Sequence, residues 1–116
     1  MGSSPRASLG ENMRTDIETI IQNYWTELDT ISVVITQENK ERLILLLDKV
    51  PKLEDLYLTY RKNLYEIQDI NAKITTETDQ RKKAYLTYDK RKFQSLNNSL
   101  SAQVELIIFE LTPVVI

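Results

Sequence analysis

From Leu43 to Ile74, apolar residues recur at alternating steps of three and four. The row opens with Leu43, Leu46, Val50, Leu53 and Tyr57. It continues through Tyr60, Leu64, Ile67, Asn71 and Ile74 without a slip. This period places one stripe along one side of a helix, with Leu43 at heptad position a and Leu46 at d. Such a stripe is about 48 Å long at 1.5 Å per residue. A stripe of that length must be covered by other helices, so an all-α fold is expected.

Glycine usage agrees. The chain has two glycines, Gly2 and Gly10, and none from Glu11 onward. Tight hairpins and glycine-rich phosphate loops both need glycine, so neither is expected. Leu, Ile, Glu, Lys and Gln supply good helix formers.

Three helices follow from the spacing. The first runs from about 12 to 35, on Met13, Ile17, Ile20, Ile21, Tyr24, Leu28, Ile31 and Ile35. Asn12 is its expected N-cap. Residues 31–36 are rich in β-branched side chains and could form a strand; with no partner strand in sight, helix is preferred. Thr36 can cap the second helix, 37–74, with a polar first stretch from Gln37 to Arg42. Pro51 lies inside the seam. The heptad keeps its phase there, which favours a kink or near-continuous junction over a new helix. Asn71 at an a position either sets register or sits half exposed near a helix end. Nine polar residues, 75–83, mark a chain reversal. The third helix is expected at 80–111, ended by Pro113. These elements predict an elongated antiparallel three-helix bundle with coiled-coil-like packing. Residues 1–10 read as a disordered arm or cloning remnant. Residues 11–116 read as a single helical-bundle domain, alone or as a fragment of a longer chain.

Composition narrows the chemistry. The 116 residues include no Cys and no His, which removes thiolate nucleophiles, His bases and ordinary zinc sites. Carboxylates are the conventional catalytic groups left: Glu54 adjoins Asp55 and Glu38 stands three residues from Glu41, and a solvated helix face explains both pairs. No enzyme activity, cofactor or metal is expected. The most apolar stretch, Val104 to Ile116, is too short to span a membrane and carries Glu105 and Glu110. It is apolar on more than one face. Val104, Ile107, Ile108 and Leu111 line one side, and Leu106 and Phe109 point elsewhere, so burial from several directions is expected.

Charge is distributed unevenly. Residues 81–92 hold six bases and one acid, a net of +5, in a chain of net −2. Residues 93–116 hold two acids and no base. The bases Arg81, Lys82, Lys83, Lys90, Arg91 and Lys92 surround Tyr85 and Tyr88. Pairing with the acidic helices would make those two tyrosines core residues. The alternative is contact with anionic lipid headgroups. No nucleic-acid module accompanies the patch, and nucleic acid is not an expected partner. Trp25 lies beside the first helix's stripe, as a boundary aromatic or a partner anchor.

The segment from Arg81 to Leu111, with Tyr85, Tyr88, Phe93, Leu96-Asn97-Asn98 and Leu100, resembles the second helix of BAR-type membrane-curvature domains. It covers about a quarter of the chain. The length and Trp25 resemble a spectrin-like repeat, although a second Trp in helix 3 is missing. The three-helix architecture also resembles syntaxin-type N-terminal domains and coiled-coil subunits of tethering, kinetochore and lysosome-biogenesis complexes. The BAR resemblance implies contact with anionic membranes through residues 81–92.

The function expected is a non-catalytic protein–protein interaction module: a scaffold, tether or adaptor forming homo- or hetero-oligomers. Its interface is expected along the row from Leu43 to Ile74 and at Ile107, Ile108 and Phe109. An intracellular, cytoplasmic setting is expected, with peripheral membrane association as the alternative.

Overall fold

The computed structural model describes the backbone of residues 9–113 and the side chains of residues 16–113. Three helices account for nearly all of it: α1 Leu9–Val33, α2 Lys40–Thr76 and α3 Gln80–Leu111. There is no strand among the described residues. The fold is an all-α three-helix bundle, as the spacing predicted, and α3 has the predicted bounds.

Helix α1 begins three residues before the predicted start, so Asn12 lies inside the helix and is not its cap. Residues 1–8 of the predicted arm lie outside the described residues; Leu9 and Gly10 belong to the helix. Its other end comes at Val33, two residues early. The run Val33-Val34-Ile35-Thr36 is entirely β-branched and disfavours helix by loss of χ1 freedom. A competing structure begins at Thr36. The Asn39 N–H donates to Thr36 Oγ1 at 3.2 Å, and the Thr36 N–H donates to Asn39 Oδ1 at 2.8 Å. This is the reciprocal geometry of a capping box, with Asn in place of Glu or Gln. Residues 37–39 form a turn, and the regular ladder of α2 starts at Lys40.

Helix α2 continues unbroken through Pro51. It ends at Thr76, two residues later than predicted. The α2–α3 turn is 77–79, inside the predicted polar run. Asp79 Oδ1 accepts from the N–H groups of Arg81 at 2.8 Å and Lys82 at 3.3 Å, so Asp79 caps α3.

The chain divides into two compact units, with the boundary at Glu54/Asp55, one turn beyond Pro51. In the unit of residues 1–54 and 111–116, α1 and the first part of α2 run antiparallel. Ile17, Ile21 and Leu28 are buried on α1, and Leu43, Leu46, Val50 and Leu53 on α2, together with Leu111. The unit of residues 55–110 is an antiparallel α2–α3 hairpin, with Tyr57, Tyr60, Ile70, Val104 and Ile107 buried.

The a/d row is buried at every position from Leu43 to Tyr60. Beyond Tyr60 burial departs from it. Asn63 and Ile70, both at g, are buried; Leu64, Ile67 and Ile74 are half-buried and Asn71 is exposed. Asn71 is therefore not a buried register residue. Within its unit this part of α2 has one partner helix, and burial centres on the edge that faces α3.

Candidate interaction surface

Polar side chains tie the helices together at two levels. In the first unit, Arg42 donates to both carboxylate oxygens of Glu27, Nε at 2.7 Å and Nη2 at 2.9 Å. Its Nη1 donates to the carbonyl of Leu111, in the last turn of α3. No basic residue of α3 lies in that turn, so Arg42 supplies from α2 the positive charge that a helix C-terminus favours. The guanidinium also stands 5.9 Å from the Tyr24 ring centroid. Hydrogen bonding from Arg42 holds the Glu27 carboxyl below its ordinary range, against the upward push of burial. In the second unit, Asn63 Nδ2 donates to Asn97 Oδ1 at 2.9 Å, inside the hairpin.

Helix α3 carries two parallel rows. The inner row, Leu86, Lys90, Phe93, Asn97, Leu100, Val104 and Ile107, is half-buried or buried throughout. A second row runs Tyr85, Tyr88, Lys92 and Ser95, then Ser99, Ala102, Leu106 and Phe109. Its steps also alternate between three and four, and every member is exposed. At about 100° per residue the second row lies on the opposite side of the helix. Its ends are large and apolar: Tyr85 is 67%, Tyr88 70% and Phe109 76% exposed. Leu96, also exposed, borders its middle. A shallow groove of about 510 Å³ opens on this side, lined by Tyr88, Arg91, Lys92, Ser95 and Leu96.

Exposure of Tyr85 and Tyr88 corrects the expectation that both enter the core if the basic segment pairs internally. Arg81, Lys82, Arg91 and Lys92 are exposed, and Lys83 and Lys90 half-buried. Among the described residues none of the six forms an ion pair. The two tyrosines fall on the α2 heptad register only because the phase happens to carry across the turn. Between α2 and α3 the chain reverses, and the register has no spatial meaning beyond Thr76.

Leu43, Leu46, Val50, Leu53, Tyr57 and Tyr60 are covered by the chain's own packing. Ile107 is buried, Ile108 half-buried and Phe109 exposed. Trp25 is half-buried. Glu38, Glu41 and Asp55 are exposed, and no group of His, Cys, Asp or Glu among the described residues could hold a metal ion. No helix among them is long and apolar enough to cross a membrane. Val114, Val115 and Ile116 of the apolar tail lie outside the described residues. Compared with family models, with curated proteins and with solved structures, the chain matches none.

Proposed function

We propose that this chain is a non-catalytic, intracellular interaction module, a subunit or domain of a larger assembly that meets its protein partner through the outer face of α3. One observation carries the reading: Tyr85, Tyr88, Leu106 and Phe109 are exposed in a row on a helix whose opposite face is already packed. Apolar surface aligned in this way and rimmed by charge marks association sites more often than isolated exposed residues do. The a/d row from Leu43 to Tyr60 is consumed by the chain's own core, and a partner could reach it only by displacing α1 or α3. Of the three tail positions expected at the interface, Phe109 alone is fully available.

A second reading is contact with an anionic membrane through residues 81–92. Its support is the exposure of Tyr85 and Tyr88 among Arg81, Lys82, Arg91 and Lys92. Each basic residue near an anionic surface contributes up to about 1 kcal/mol, and salt screens it.

Two double variants separate the readings. Leu106→Glu with Phe109→Glu should abolish association in sedimentation velocity while leaving helicity, and melting in dilute solution, unchanged. Arg91→Glu with Lys92→Glu should abolish co-sedimentation with phosphatidylserine vesicles if the membrane reading holds. Association that survives the first variant would refute the outer-face module. Absence of vesicle binding by the unmodified chain at low salt would refute the membrane reading.

A further inference from the structure

We infer that the occupant of the outer face of α3 is the same face of a second copy, running antiparallel about a two-fold axis midway between Ser95 and Ser99. The inference rests on the outer-face reading above and names its partner.

The row is matched to itself end for end. Labelled as its own heptad, Tyr85, Lys92, Ser99 and Leu106 are a positions, and Tyr88, Ser95, Ala102 and Phe109 are d positions. Antiparallel helices build layers from an a of one helix and a d of the other. With the axis placed as stated, Tyr85 meets Phe109 of the second copy and Tyr88 meets Leu106. Lys92 meets Ala102, and Ser95 meets Ser99. Bulky side chains meet bulky ones at both ends. At the centre the small side chains let the backbones approach, and there Leu96 comes beside Leu96 of the second copy. Every large exposed apolar side chain of α3 is thereby covered. Lys92 faces the smallest apolar residue of the row, which leaves room for its stem to lie along the seam and its ammonium to reach water.

Charge selects the direction. A parallel pairing would set two segments of net +5 side by side. The antiparallel pairing lays 81–92 against 102–113 of the second copy, which carries Glu105 and Glu110 and no base. Arg91 and Glu105 flank the row on the same edge, so each falls beside the other's copy. The groove bounded by Tyr88, Arg91, Lys92, Ser95 and Leu96 then receives the Ser99–Leu106 stretch. The row from Tyr85 to Phe109, with Arg91, Leu96 and Glu105 beside it, lies within the one compact unit of residues 55–110.

The chain has no cysteine, so single introduced thiols report the geometry without background. Leu96→Cys in the full chain, treated with a short bis-maleimide, should cross-link to itself. Tyr85→Cys should not, because the two copies of position 85 stand about 36 Å apart along the helices at 1.5 Å per residue. A mixture of Tyr85→Cys and Phe109→Cys chains should give the mixed dimer. Ser95→Cys mixed with Ser99→Cys repeats the central test at exposed positions should Leu96→Cys lose helicity. Self-linking of Tyr85→Cys would overturn the antiparallel pairing, as would a sedimenting dimer that none of these thiols links; both leave the module reading standing. A chain monomeric at high micromolar concentration overturns the second copy as occupant. The module reading fails separately, on the Leu106→Glu/Phe109→Glu variant.

Discussion

Asn63 donates from its side chain to Asn97 Oδ1 at 2.9 Å, with both side chains buried in the α2–α3 hairpin. Asn97 Nδ2 donates in turn to the carbonyl of Tyr60 at 3.1 Å. Among the described residues no buried side-chain nitrogen or oxygen lacks a partner. This pair locks one turn of α2 to one turn of α3, and a slip of either helix would strand two buried amides. Asn97→Ala should therefore destabilise the chain by about 1–3 kcal/mol, the cost of an unpaired buried group. Replacing both with Leu should recover most of that loss, because neither amide is then left unpaired. Chemical denaturation of Asn63→Leu, Asn97→Leu and the double variant gives the coupling directly.

The Glu27–Arg42 pair makes stability depend on pH in a defined direction. Arg42 holds the folded carboxyl below its ordinary value of 4.5. The pair's contribution is complete above that value and is lost as pH falls through the lower folded value. Glu27 is about a third exposed, and solvent screening limits the effect. Glu27→Gln should cost about 0.5–1 kcal/mol at neutral pH and nothing once the Glu27 carboxyl is protonated in the folded and the unfolded chain. Melting curves of both proteins from neutral pH to below 3 should converge at the acid end.

Leu46 and Leu47 are neighbours with opposite fates: Leu46 is 0% and Leu47 55% exposed. Leu46→Ala should cost about 2–5 kcal/mol. Leu47→Ala should stay within about 0.5 kcal/mol of the unmodified chain. Equal effects would mean that α2 presents a different face to its core.

Asp79 caps α3 through two N–H groups. Asp79→Ala should destabilise by about 1 kcal/mol, and Asp79→Ser should restore most of it. Thermal melting monitored by helicity tests both.

Much of the architecture could be read from spacing because spacing is what packing selects. Leu43 to Tyr60 follow the a/d row, and Thr36 caps where its hydroxyl can reach Asn39. The polar run 75–83 holds the turn. What could not be read depends on partners far apart in the chain. Glu27 looks like any solvated acid until α1 and α2 are folded against each other. Asn63 sits at a g position, and nothing near it in sequence announces Asn97. The outer face of α3 was partly hidden by coincidence. Tyr85 and Tyr88 continue the α2 register, and internal pairing of the basic segment would make them core residues, yet both are exposed. The signal was the second three-four row through Leu106 and Phe109, one that a single-stripe reading of α3 passes over.

The inner rings of Tyr57 and Tyr60 are buried within one chain, and in the proposed assembly the outer rings of Tyr85, Tyr88 and Phe109 are buried by a second copy. Hydroxyl-radical footprinting over a range of protein concentrations tests both halves at once. Tyr57 and Tyr60 should be protected at every concentration, while oxidation of Tyr85, Tyr88 and Phe109 should be strong in dilute solution and fall as concentration rises. Outer rings that oxidise equally at all concentrations, or protection that grows at Tyr57 and Tyr60 instead, would contradict it.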